Sequence, residues 1–362
     1  MSTLNPEWLE FERTEQQSPT APSSPPQQSL DQKRQDHARQ VLQRNATYLD
    51  QHEPRLADKD SIVVTDSTVT ARDGESLPIR IYDSEQPGNR PVVIFYHGGA
   101  LRGWNLDTED LSCRRLAIDG GTVVISIAYR LAPENPYPVP INDAWDGFLG
   151  IANNLPNFVP RYMGHAARFV VAGTSSGGHL AAIVSQLAVE QMKAQTMSRT
   201  STEQRSAGTG TWELSGVILR NPVTVYGADK QYIPPEYRDA HQSWVPELDY
   251  PGHLDREEMK WSHDLYGVPD SEKSNALAYP LWGNLSGLPP TFVQICNVDI
   301  LRDDATCYVK GLANAGVDVR SKLYEGLPHV FWLLAPQLEV ARNFEQDCVD
   351  GFHWIISKCK SE

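Results

Sequence analysis

From about residue 61 onward the chain alternates short β-branched runs with segments of helical spacing. That alternation restricts it to an α/β architecture, a mainly parallel sheet covered by helices on both faces. Eight runs read as strands: SIVVTDSTVTA, LPIRIYD, PVVIFYH, TVVISIAY, RFVVAG, GVILRNP, TFVQICNVD and VRSKLYE. The middle ones are continuous apolar runs, as strands buried on both faces require. Helical segments fall between them at about 107–118, 141–154, 177–197 and 303–315, with a last one near 336–358. In that last segment Leu338, Ala341, Phe344, Cys348, Phe352 and Ile355 recur at steps of three or four, which makes one apolar face for packing.

Two regions interrupt the rhythm, one inside the core of residues 61–222 and 287–362 and one inserted between its two segments. Residues 194–213 are polar and read as a mobile surface loop. Residues 223–286 carry Tyr226, Tyr232, Tyr237, Trp244, Tyr250, Trp261, Tyr266, Tyr279 and Trp282, far more than a connection needs, and read as a cap or lid. Ahead of the core, residues 1–60 join a short PEWLEF piece to a helical stretch, LDQKRQDHARQVLQRNATYLDQ. A Pro/Ser/Gln-rich linker at about 15–29 connects them.

Composition narrows the partners. With 32 Lys and Arg against 46 Asp and Glu, the formal net charge of −14 argues against nucleic acid and anionic membranes, which would want a basic stripe. No run is apolar enough to span a membrane, and the acidic N-terminus lacks the apolar region of a secretory signal, so the expected location is cytoplasmic. The five cysteines form no CxxC pair and lie near no histidine cluster, so neither a metal site nor a disulfide framework is expected. A small-molecule substrate is the expected partner, and a homodimer is compatible with the sequence.

The chemistry concentrates at Gly173-Thr174-Ser175-Ser176-Gly177, a GxSxG pattern directly after a strand and before a helix. A nucleophile elbow needs that context, with small flanking residues lifting a serine Oγ out of a strained turn. A glycine-rich helix entry with a capping serine fits the same five residues. Upstream, His97-Gly98-Gly99-Ala100 follows another apolar strand. Its glycines allow backbone N–H groups to approach a developing oxyanion, although an ordinary tight turn has the same composition.

Taken together, YHGGALRGWNLDTEDLSCRRLA, VVISIAYRLAPENPYPVPINDAWDG and VVAGTSSGGHLAA resemble the HGGG, YRLAPE and G-[DT]-S-A-G-G segments of the hormone-sensitive-lipase-like family of α/β-hydrolases. The resemblance runs from about residue 60 to the C-terminus, apart from the 194–213 loop, and is dense between 78 and 182. It implies an eight-stranded hydrolase core, a cap built from the N-terminal helices of residues 1–60 plus the 223–286 insertion, and hydrolysis of carboxylic esters without a cofactor. It implies Ser175 as nucleophile and Asp299 as acid, in an Asp299-Ile300-Leu301-Arg302-Asp303-Asp304 segment where Ile replaces the family's Pro. Asp303 and Asp304 are the alternatives, expected on the following helix. His329, in Gly326-Leu327-Pro328-His329-Val330-Phe331, is the implied base, and Gly98, Gly99 and Ser176 are the implied oxyanion donors. Tyr129, Arg130, Pro133, Glu134 and Asp143 are expected to brace loops beneath the site. The chain departs from the family at Ala100, in place of the third glycine, and at Ser176, in place of alanine. A small, medium or aryl ester is the expected substrate. A lactonase, thioesterase, amidase or acyltransferase would use the same acyl-enzyme, and a non-catalytic receptor would keep the fold without the chemistry.

Overall fold

The computed structural model describes residues 4–16, 29–84, 90–162, 166–199, 211–250 and 254–359. Two N-terminal helices, α1 (Pro6–Gln16) and α2 (Leu30–Gln51), precede the sheet. The linker expected between them falls on residues 17–28, outside the described residues. Then follow β1 (Val63–Thr70), β2 (Ser76–Asp83), β3 (Val92–Tyr96), α3 (Asp110–Asp119), β4 (Val123–Ile127), α4 (Val139–Asn153), the one-turn α5 (Leu155–Phe158), β5 (Ala166–Thr174), α6 (Ser176–Arg199) and β6 (Thr211–Arg220). After an irregular stretch containing α7 (Arg256–Tyr266) come β7 (Thr291–Val298), α8 (Arg302–Asn314), β8 (Val319–Pro328), the one-turn α9 (Phe331–Leu334) and α10 (Glu339–Lys358).

The strands form one eight-stranded sheet in the order β1-β2-β4-β3-β5-β6-β7-β8. β2 pairs antiparallel with both β1 and β4, and every later pairing is parallel. The apolar runs have the burial their composition demands. Every residue of β3, β4 and β7 is buried, whereas β1, an edge strand, buries only Val69. In α10 the anticipated stripe is the packed face, with Ala341, Phe344, Cys348, Phe352 and Ile355 buried.

The polar segment 194–213 differs from the surface loop expected of it. α6 runs on to Arg199 and β6 begins at Thr211, leaving 200–210 outside the described residues. The reason is tertiary: Ala166–Phe169 of β5 pair with Thr211–Leu214, so the polar start of β6 extends a strand the sheet already holds.

The sheet order also locates the site. Chain order reverses between β3 and β5, which are neighbours although β4 lies between them in sequence. The crevice at such a reversal, beyond the carboxyl ends of the strands, is where open α/β sheets bind ligands. Ser175 follows β5 and His97 follows β3, so both stand at that crevice.

Candidate active site

Ser175 occupies the left-handed region, with φ +55°, a conformation costly for a residue with a side chain. The turn is held because nothing larger than hydrogen fits around it. A Cβ on Gly173 would lie 2.2 Å from the Gly177 carbonyl oxygen, and one on Gly177 only 2.0 Å from that of Tyr96. Backbone bonds fix the rest: Ser175 N–H donates to the Arg220 carbonyl at 2.7 Å, and the Ser175 carbonyl accepts from His179 N–H at 3.0 Å. The Ser175 side chain is thereby committed to the crevice.

There the Ser175 hydroxyl lies 3.0 Å from His329 Nε2, and His329 Nδ1 lies 2.7 Å from Asp299 Oδ2. A carboxylate can only accept, so Nδ1 carries the proton and Nε2 is left to accept from Ser175. All three side chains are buried, at 6%, 2% and 5% exposure for Ser175, Asp299 and His329. Asp299 is doubly anchored besides: its Oδ1 accepts from Leu301 N–H at 2.8 Å and its Oδ2 from Asn221 Nδ2 at 3.2 Å. Asp303 and Asp304, the alternatives for the acid, are engaged elsewhere. Asp304 accepts from Thr224 N–H and Val225 N–H and pairs with His241 Nε2 at 2.8 Å, while Asp303 accepts from Gln242 N–H. Burial opposes a charged His241, but Asp304 outweighs it and raises the imidazole's pKa.

The loop after β3 doubles back tightly. Gly99 has φ +103°, and a Cβ there would strike the Gly103 carbonyl at 2.4 Å; Ala100 and Leu101 follow at φ +55° and +58°. The amides of Gly98, Gly99 and Ser176 donate to no carbonyl in the turns and loops of the described residues, and Ser176, as first residue of α6, has no helical acceptor of its own. The Ser176 hydroxyl accepts from Leu101 N–H at 3.2 Å, tying α6 to this loop. Its hydroxyl therefore has a structural partner, a link that sequence alone did not reveal.

The segment after β4 braces the crevice from below. Tyr129 OH donates to the His97 carbonyl at 2.7 Å, and its ring stacks on the His97 imidazole at 4.4 Å. Burial lowers the His97 pKa to about 4, against a small upward push from the Gly98 carbonyl, so this histidine is neutral and no proton carrier. Arg130 forks onto buried Asp143 at 2.7 and 2.9 Å. Glu134 bonds Arg34 of α2, which also donates to the carbonyls of Arg102 and Ala132, both at 2.7 Å. The N-terminal helix is thus latched onto the glycine loop.

Above Ser175 and His329 lies a cleft of about 230 Å³, roofed by Leu30, Lys33 and His37 of α2 and by Glu258 and Met259 of α7. His37 stacks on Trp104 at 5.5 Å, and burial, aided by Arg44, lowers its pKa to about 4. α1 closes the far side: Trp8 is fully buried 6.4 Å from Phe331, and Asn5 N–H donates to the Gly326 carbonyl, three residues before His329. Asn221 carries no motif, and nothing in the sequence marks it as a site feature; α2, by contrast, is where an N-terminal cap helix was expected. No helix among the described residues is long and apolar enough to cross a membrane.

Residues 93–333 match the protein family described as the alpha/beta hydrolase fold. Among curated proteins, the chain is 30% identical to an AB hydrolase superfamily protein of Schizosaccharomyces pombe, over 84% of this chain and 83% of that one. It is 29% identical to the versiconal hemiacetal acetate esterase of Dothistroma septosporum, over 81% and 82%. It is 32% identical to the carboxylesterase NlhH of Mycobacterium tuberculosis, over 67% of each. Among solved structures it resembles that of vibralactone cyclase, with a TM-score of 0.80, 25% identity and coverage of 99% and 97% of the two chains.

Proposed function

The chain belongs to the α/β hydrolase fold family, among relatives that are carboxylesterases, and from that premise we propose that it cleaves carboxylic esters through an acyl-enzyme on Ser175. The observation that carries this reading is the unbroken contact from Ser175 through His329 to Asp299, at 3.0 and 2.7 Å, on a turn strained to present the serine. As the Ser175 oxygen attacks the ester carbonyl, His329 Nε2 takes its proton and Asp299 stabilises the imidazolium. The carbonyl oxygen, now negative, receives the amides of Gly98, Gly99 and Ser176; each such donor is typically worth roughly 3 to 4 kcal/mol in the transition state. His329 gives its proton to the departing alcohol oxygen, then takes one from water, whose attack releases the acid and restores Ser175.

On the same reading, α7 acts as a lid over the cleft. The cap segment 223–286 is tied to the core at its start, where Thr224, Val225 and His241 satisfy Asp304 and Ser243 bonds the Ile300 carbonyl.

A panel of p-nitrophenyl esters of increasing acyl length tests the proposal beside Ser175→Ala. Wild-type turnover with loss in the variant is expected; equal rates in both would refute it. A second reading passes the acyl group to a hydroxyl of the substrate itself and releases a lactone. The likeness to vibralactone cyclase favours it. The readings share acylation of Ser175 and part at the acceptor, so product analysis with a hydroxy-ester, free acid against lactone, separates them.

A further inference from the structure

Behind Ser176 lies a second, narrower cavity that the mechanism above does not use. It is lined by Ala100, Leu101 and Ser176 on the core side, by Met259 and His263 of α7, and by His179 one turn into α6, with Tyr266 and Tyr279 closing the end. Its present free volume is about 20 Å³, room for one small group. Ala100 and Met259 also line the catalytic cleft, so the two spaces meet across a methyl and a flexible thioether.

Among the side chains around this apolar cavity are buried polar atoms that have no hydrogen-bond partner among the described residues. Neither ring nitrogen of His179 has a hydrogen-bond partner among the described residues, although the ring is 2% exposed; the Val223 carbonyl is near enough to bias the ring's protonation but does not meet hydrogen-bond geometry. His263 meets Tyr279 OH through Nδ1 at 3.0 Å, and its Nε2 is unpartnered, as is Tyr266 OH. The rings of His179 and Tyr266 meet edge to face at 6.3 Å, those of His179 and Tyr279 at 5.8 Å. Burial lowers His179 to about 4 and His263 to about 3, the latter helped by His179 and Lys273, so both are neutral at ordinary pH. A neutral imidazole offers one donor and one acceptor.

We propose that this cavity is an acyl subsite in which His179, His263 and Tyr266 hydrogen-bond a neutral oxygen, a keto or hydroxyl group, on the acyl part of the substrate. The assignment to the acyl part rests on the ester-hydrolase reading of Ser175. The leaving alcohol must lie towards His329, which protonates it, and the cavity touches neither His329 nor Asp299 but adjoins the loop whose amides face the carbonyl oxygen. A plain alkyl chain entering here would leave the histidines unpaired, and a carboxylate would be stripped of water with no Lys or Arg among the lining residues to receive it.

The test uses the full chain and p-nitrophenyl esters in matched pairs, an oxo-acyl ester against its alkyl isostere, with the ketone at C3, C4, C5 or C6. At one of these positions kcat/KM is expected to favour the oxo ester by roughly tenfold or more, since a site built to bond an oxygen discriminates strongly against its absence. His179→Leu is expected to remove or invert that ratio, and His179→Asn, which keeps a donor and an acceptor, to restore part of it. No oxo preference at any position, or one that survives His179→Leu in a variant with wild-type circular dichroism, would overturn the proposal and leave the cavity as a resident-water site. p-Nitrophenyl acetate, too short to reach the cavity, separates the two levels. If wild type does not hydrolyse it or any longer ester, the ester-hydrolase reading fails; if it does and no pair discriminates, only the subsite fails.

Discussion

Two groups of buried polar side chains flank Ser176, and they differ in how their hydrogen bonds are met. On one side, Ser175, His329, Asp299 and Asn221 form a closed chain in which each side chain has a protein partner. On the other, His179, His263 and Tyr266 leave four polar atoms unpartnered among the described residues. Buried polar groups are rarely left so, because each unmet bond costs about 1 to 3 kcal/mol. A group that works on the substrate must be oriented before the substrate arrives, so its bonds are internal. A group that recognises the substrate must keep a bond free for it.

Substitutions on the closed side are therefore expected to act on the chemical step. His329→Ala and Asp299→Asn should each lower kcat about 10⁴-fold, measured by steady-state kinetics, with folding unchanged. A decrease in kcat of less than tenfold for both would remove the distinction between the two sides. Gly177→Ala attacks the turn itself. With a Cβ 2.0 Å from the Tyr96 carbonyl oxygen and 2.4 Å from that of His97, both rigid backbone, it should cost about 3 kcal/mol or more in urea unfolding.

Asn221→Ala probes the closed chain at its least obvious link. Asn221 donates to Asp299 and accepts from Cys296 N–H at 3.1 Å, holding φ +46°. Its loss should lower kcat about 10- to 100-fold and stability by about 1 to 3 kcal/mol. A drop in stability with kcat unchanged would make it a purely structural residue.

The histidines supply a contrast in pH. His97 and His179 are lowered to about 4 and His263 to about 3, in each case mainly by burial. The unfolded chain protonates these rings near 6.5, so between pH 6.5 and about 4 it binds protons that the folded state refuses. The contribution of these three rings to stability should be full above pH 6.5 and fall as the pH drops toward 4, and for His263 toward 3, with two of the three belonging to the cavity. His179→Asn should make the decline in Tm shallower; an unchanged slope would show that His179 is charged or solvated in the folded protein. The smallest effect expected is that of Ser176→Ala, which loses one neutral bond to Leu101 N–H and should lower kcat/KM by less than about tenfold.

The sequence was most legible where a residue's role is set by its chain neighbours. The sheet strands announce themselves because burial on both faces forces continuous apolar runs, and Ser175 because an elbow needs small residues two before and two after it. His329 and Asp299 are marked only by their resemblance to the family's motifs at strand ends, and the structure brings both side chains to Ser175. His179 lies in the same GTSSGGH stretch yet carried no signal, since its importance comes from α7, more than seventy residues away in the chain, closing over it. Asn221 was silent for the same reason: only the pairing of β6 with β7 brings it to Asp299. The polar start of β6 read as loop because neighbouring strands, not composition, make it a strand.

Mass spectrometry of the acid-quenched enzyme after reaction with a serine-directed p-nitrophenyl phosphonate tests the central claim most directly. One adduct per chain is expected, on the peptide containing Ser175, absent from Ser175→Ala and formed far more slowly in His329→Ala. Ester turnover by wild type with the adduct on another residue, or undiminished turnover by Ser175→Ala, would contradict it.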